Sequence, residues 1–207
     1  MFWYQQFKLN KLKTLFKTIV IAFAISVSAT GTFAQNSLQG HSGLYLNAQD
    51  FNNKKLSYEI DCSMESHKIK ANKIFNKSKL DIIHAGKKYS YDKKDLFGYR
   101  DCNNRDFRFI DNKEYQVLDK KGFYLFSSVV YIKSGKTDSK KTAYYFSKES
   151  DGNVQELSPE NLKAAFPENH KFHDMLDAQF KGDDNLGMYD SFHKTYKVNH
   201  IYSESLK

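Results

Sequence analysis

From residue 56 the chain alternates. Leu56, Tyr58, Ile60 and Cys62 are separated by Ser57, Glu59 and Asp61, the period of two that a half-buried strand imposes. Similar runs recur at 67–71, 80–84, 88–91, 97–101, 106–110 and 114–118. Turn formers punctuate them: Ala85-Gly86, Asn103-Asn104, Asp111-Asn112 and the stretch 119–122. Short connections predict an antiparallel meander, because parallel neighbours need crossovers of about a dozen residues or more.

Residues 122–132 (GFYLFSSVVYI) are apolar on both faces, with Phe123 and Leu125 pointing one way and Tyr124 and Phe126 the other. That pattern predicts a central strand covered on each side. Residues 142–147 (TAYYFS) have the same character, and Ser134-Gly135 marks the loop between the two. Asp151-Gly152 is a hairpin signal leading to a last short strand near 154–157.

At Ser158 the period changes. Ser158 is a good N-cap, Pro159 suits the first helical position and Glu160 the first turn. A short helix then carries Leu162, Ala165 and Phe166. A second, over 168–181, places Phe172, Met175, Leu176 and Phe180 on one face, and Gly182-Asp183-Asp184 ends it. A third, over 185–203, is predicted from the helical spacing of Tyr189, Phe192, His193, Tyr196 and His200. The expected class is α+β: a twisted antiparallel sheet or partly closed barrel, followed by three helices, at least one of which covers a sheet face.

The beginning of the chain has a different logic. Lys8, Lys11, Lys13 and Lys17 precede an apolar run at 18–29 that is short for a membrane span. Thr32-Phe33-Ala34 then offers small residues for cleavage before Gln35, with a cut after Ala29 as the alternative. Residues 1–34 read as a signal peptide, and an uncleaved anchor is the rival reading. Residues 35–42 are expected to form a flexible N-terminus, and 43–207 a single domain, strand-rich to 157 and helical from 158. No membrane span is expected after cleavage. Of the formal net charge of +8, the four leader lysines supply half. What remains reads as a lysine-rich solvated surface, with attraction to an anionic membrane face or polysaccharide as the weaker alternative. Nucleic acid is not an expected partner, since export takes the protein away from it. The single tryptophan, Trp3, falls in the leader, which lowers the case for a sugar-stacking platform despite 14 tyrosines and 17 phenylalanines.

Two cysteines, Cys62 and Cys102, are too few for a zinc site without histidines and too far apart for a redox pair. In an oxidising compartment one structural disulfide is expected, the alternative being two buried thiols.

Candidate chemistry is sparse. Gly40-His41-Ser42-Gly43 lacks the spacing of a nucleophile elbow, and Gly135-Lys136-Thr137 lacks the upstream glycine of a phosphate loop. His170, His173 and Asp177, spaced i, i+3 and i+7, share a helical stripe and are acceptable metal ligands; His193 or Asp190 could supply a fourth group. The ordinary reading is a polar helix edge with a His173–Asp177 pair. His193 and His200 among tyrosines read as core residues, and Arg100 beside an acid as scaffold. No cofactor is implied.

Tyr58-Glu59-Ile60-Asp61-Cys62, Phe97-Gly98-Tyr99-Arg100-Asp101-Cys102, Asn112-Lys113-Glu114-Tyr115-Gln116 and Tyr144-Tyr145-Phe146-Ser147 resemble segments of an uncharacterised family of small exported proteins from Bacteroidetes-type bacteria. Glu160-Asn161-Leu162-Lys163 through Asn169-His170-Lys171-Phe172-His173, and Tyr189-Asp190-Ser191-Phe192-His193-Lys194, continue the resemblance. It implies export from a Gram-negative cell and a single domain, and carries no activity, ligand or catalytic residue. The expectation is a non-enzymatic periplasmic or envelope-associated protein that acts on an unknown protein or envelope component. The alternatives are a small metal-binding or histidine-assisted enzyme using His170, His173 and Asp177, and a small-ligand carrier.

Overall fold

Alternation becomes strand wherever turn chemistry allows the chain to reverse. The computed structural model describes residues 40–63, 68–70, 78–134, 137–180 and 185–207. The expected signal peptide, the expected N-terminal segment up to residue 39, the ends of the run at 67–71, Gly135 and the Gly182-Asp183-Asp184 stretch lie outside the described residues.

Strands β1 (His41–Tyr45), β2 (Ser57–Asp61), β6 (Gly98–Arg100), β7 (Asp106–Ile110), β8 (Lys113–Asp119), β9 (Tyr124–Ser134), β10 (Thr137–Ser147) and β11 (Gln155–Glu156) form one 8-stranded sheet in the order β11-β10-β9-β8-β7-β6-β1-β2. Among the described residues every pairing in this sheet is antiparallel, and from β6 to β11 the order is a meander. Asp111 and Asn112, with φ of 47° and 65°, make the tight turn from β7 to β8. Gly98 is required by contact, since a Cβ there would lie 1.9 Å from the Phe107 carbonyl oxygen.

The first half departs from a simple meander. β3 (Lys68–Lys70), β4 (Lys79–His84) and β5 (Lys87–Asp92) form a separate 3-stranded sheet. β1 begins within the stretch expected to fray, yet lies between β2 and β6, with Ser42, Gly43 and Leu44 buried. Helix α1 (Ala48–Asn52), which the residue pattern did not predict, is capped by Asn47 accepting from the Asp50 N–H. The large sheet stays open, with β11 and β2 at its edges, so the barrel alternative is set aside.

Cross-strand register places Leu44, Tyr99, Phe107, Gln116, Ser127 and Tyr144 in one row on one face. Two layers cover parts of that face. Leu80 and Ile82 of β4, with Leu96, pack on Leu44, Tyr99, Phe107 and Phe109. Helices α2 (Pro159–Ala165), α3 (His170–Gln179) and α4 (Lys197–Ser205) bring Leu162, Phe172, Leu176, Val198 and Ile201 onto Phe123, Leu125 and Phe146. Ser158 caps α2 by accepting from the Asn161 N–H, and Asn169 caps α3 by accepting from the Phe172 N–H. The opposite face carries α1, where Phe51 packs on Tyr45, Phe97 and Tyr124.

Two expectations need correction. The helix predicted over 185–203 is instead a small hairpin, β12 (Tyr189–Asp190) and β13 (Thr195–Tyr196), followed by α4. Asp190 Oδ1 accepts from the N–H groups of Phe192 and His193, and Lys194 has φ 52°, so a local side-chain turn outcompetes the helix. The double cover expected along 122–132 also fails in its outer half. Phe123, Leu125 and Phe126 are buried, whereas Val129, Tyr131 and Ile132 are 56%, 45% and 43% exposed.

Cys62 and Cys102 are disulfide-bonded, with their Cα atoms 5.7 Å apart. The bond joins the ends of β2 and β6 across the start of β1, and it closes the loop that contains the small sheet. Closing a loop of 40 residues constrains the unfolded chain by about 4 kcal/mol on the chain-entropy model. The Cys62→Ser, Cys102→Ser double variant is therefore expected to lose about that much stability in urea melts. A loss below about 1 kcal/mol would mean that sheet pairing alone holds β1 in place.

Candidate functional site

The three helical candidates sit on α3, each with its own partner. His173 Nε2 lies 2.9 Å from the Phe166 carbonyl oxygen, tying α3 to the end of α2. Asp177 accepts from Lys163 Nζ at 2.5 Å. His170 is exposed and meets His173 edge-on, with ring centroids 5.7 Å apart. His193 belongs elsewhere, to the β12–β13 hairpin, where its Nδ1 is 2.8 Å from Asp190 Oδ2 and its ring stacks on His200 at 3.8 Å. Asp190 is held down to about 2, chiefly by its hydrogen bond with the His193 ring. Among the described residues no group of three or more histidine, cysteine or acidic side chains is placed to hold a metal ion. The stripe is a helical edge on which His173 and Asp177 contact the preceding helix segment, while His170 stays exposed beside His173.

Arg100 is also structural. Its Nη1 donates to Asp106 Oδ1 at 2.7 Å, and the same carboxylate accepts from Tyr45 Oη and from Lys120 Nζ. This cluster fixes β6, β7 and β1 to one another on the α1 side of the sheet.

The feature without an evident structural task is a groove of about 430 Å³ on the opposite face. That volume is in the range of small-ligand sites, about 300–1,000 Å³. Its position follows from the two partial covers. Along β8 the side chains on this face run from Leu118, packed on the helical core, to Gln116 and Glu114. Along β9 they run from buried Leu125 to Ser127, Val129 and Tyr131; along β10, from Phe146 and Tyr144 to Thr142 and Lys140. On β8 and β10 the side chains thus change from apolar to polar where the helical layer stops, and on β9 Ser127 marks that point before exposed Val129 and Tyr131. Phe107 and Arg105 of the β6–β7 side bound the groove next to the small sheet, with the Arg105 guanidinium 5.5 Å from the Phe107 ring.

Its cations outnumber its acids. Lys93 is only 2% exposed; its Nζ donates to the Asn112 carbonyl oxygen at 3.3 Å and lies 5.4 Å from the Phe109 ring. Arg105 pairs with Asp101, and Lys140 Nζ lies 5.5 Å from the Tyr131 ring. Glu114 is the one carboxylate among the groove's described lining residues, and its charge raises the Tyr99 phenol. A second cavity of about 430 Å³ lies beside Asp190, His193, Lys197 and His200. There the acid and the imidazole already satisfy each other.

Residue-by-residue reading missed the groove because its polar side chains come from separate strands. The available signal was that Gln116, Ser127 and Thr142 occupy positions where alternation calls for apolar residues. Compared with known families, curated proteins and solved structures, the chain matches none.

The phenols that hold the two sides of the sheet give a pH test. Tyr99 is pushed far up by burial and then by the neighbouring Glu114 carboxylate, and Tyr45 by burial and then by Asp106. Both folded-state values are raised, so their contribution is present below the unfolded value of about 10 and is lost as pH climbs above it. Stability is expected to hold up to about pH 10 and then fall, with part of the phenolate absorbance appearing only as the chain unfolds. Complete phenolate formation in a folded chain would contradict this placement.

Proposed function

We propose that this chain is an exported, non-enzymatic interaction protein of the periplasm or cell envelope, acting through the groove and the outer part of β9 and β10. The observation that carries the reading is the exposed pair Val129 and Tyr131 lining an open, cation-bearing groove, with exposed Ile132 on the reverse face of the same strand. Apolar side chains fixed on regular strands beside a polar groove suit recognition. Export is supported by the leader-like pattern of residues 1–34 and by the Cys62–Cys102 bond, which persists in oxidising compartments. Among the described residues no helix is long and apolar enough to cross a membrane.

The enzyme alternative needs His170, His173 and Asp177 to converge on one point; the two imidazoles meet, but His173 is bonded to the Phe166 carbonyl and Asp177 is drawn to Lys163. The carrier alternative needs an apolar cavity with a mouth, whereas this groove is open and mixes Lys93, Arg105, Glu114 and Gln116 with Phe107, Val129 and Tyr131 in its lining.

The test is photo-crosslinking in the host, with a benzophenone amino acid replacing Tyr131 and, as control, Phe192, which is 86% exposed on the β12–β13 hairpin. The expected result is leader-cleaved protein in the periplasmic extract, with a discrete adduct from position 131 and none from 192. Uncleaved cytoplasmic protein, or the same adducts from both positions, would refute the reading.

A further inference from the structure

The edges of β9 differ from each other. On one side it pairs with β10 over its whole length, from Tyr124↔Ser147 to Ser134↔Thr137. On the other, among the described residues, the ladder to β8 ends at Ser127↔Gln116. At that point Ser128 Oγ donates to the Glu114 carbonyl oxygen, so a side chain takes the place of a ladder bond and the strands part. β8 itself stays paired with β7 through Lys113. The divergence therefore belongs to β9, and residues 129–132 present a strand edge beside the groove.

The outer edge of β10 also loses its neighbour, because β11 reaches only Tyr145 and Phe146. The two edges are protected differently. β10 carries exposed Lys140 and Lys141 along its outer part, the usual guard against unwanted pairing. β9 carries Val129, Val130, Tyr131 and Ile132, all strand formers, without a charge among them. An edge that is regular, apolar and left unguarded beside a guarded one is suited to receive a strand.

We infer that the edge of β9 at residues 129–132 takes one extended peptide strand of a partner protein, with acidic and apolar side chains alternating. This deepens the interaction reading above and rests on it. The alternation follows from the pleat. On the groove face the added strand meets Val129 and Tyr131 with the Lys140 ammonium over the Tyr131 ring, in a groove with three cations and one carboxylate. Carboxylates are the complement on that face. On the reverse face it runs beside Val130 and Ile132, where valine or isoleucine is the complement. A second copy of this chain is the less favoured occupant, because it would bring two lysine-rich arms together.

The probe is a blocked, fluorescein-labelled decapeptide alternating valine and glutamate, measured by anisotropy against the full chain and compared with a valine–lysine decapeptide. The glutamate peptide is expected to bind at least about tenfold tighter than the lysine peptide. Its affinity should weaken with added salt and fall about tenfold or more in Lys140→Glu, an exposed position whose replacement leaves the core untouched. Amide exchange at residues 129–132 should slow on addition of the peptide. Equal affinity for both peptides, no binding, or protection confined to other strands overturns the inference. So does a dimer, seen by sedimentation, that itself protects residues 129–132. Tight binding of alginate without amide protection overturns it in favour of an acidic glycan. If crosslinking at position 131 succeeds while the peptide fails, the interaction surface stands and strand addition falls; if both fail, the surface itself is wrong.

Discussion

A sheet of eight strands with an apolar face must have that face covered, and this chain covers it with two unrelated pieces of sequence. Leu125 and Phe146, opposite each other on β9 and β10 and fully buried, are where the helical layer meets the sheet. Burying each of these side chains contributes about 1.5–3 kcal/mol. Leu80 and Ile82 do the same for the small sheet over Leu44, Tyr99 and Phe107. Among the described residues neither layer reaches the outer part of β8, β9 and β10, and on β8 and β10 the composition follows that limit. The groove is the remainder of the sheet face, not an addition to it.

The same limit explains the strand edge. A ladder persists where packing holds both strands flat, and β8 and β9 remain laddered as far as Ser127, next to the helical core. Beyond it, among the described residues, β9 is paired with β10 alone. An isolated two-stranded ribbon is marginal in water, so the outer hairpin draws its order from the sheet at its base. The disulfide secures the other end of the sheet by joining β2 to β6 around β1. Rigid sheet and sparsely supported rim are then parts of one arrangement, with the rim beside the groove.

Much of this was legible locally. The alternating runs at 80–84, 106–110 and 114–118 became β4, β7 and β8, and Ser158 with Pro159 marked the start of α2. The pairing of Cys62 with Cys102 was legible from cysteine number together with the expected oxidising compartment. What escaped was non-local. Nothing in the period of residues 41–45 says that they lie between β2 and β6, or that 68–92 leave the main sheet. The 185–203 stretch differs from its helical expectation because Tyr189, Phe192 and Tyr196 keep helical spacing while Asp190 forms a side-chain turn; Phe192 is the most exposed large apolar residue described. The candidate metal stripe on α3 had the right geometry on its helix, but its partners Phe166 and Lys163 come from the preceding helix.

The central claim is that cover and ladder both stop at the same place on β9. Residue-resolved amide hydrogen exchange of the unliganded protein tests it most directly. The account predicts strong protection across Leu125, Phe126 and Ser127, and alternating protection from 129 to 132, where only the amides bonded to β10 exchange slowly. Uniform strong protection along the whole of β9 would mean that a further strand or layer covers its outer edge, and would contradict the account.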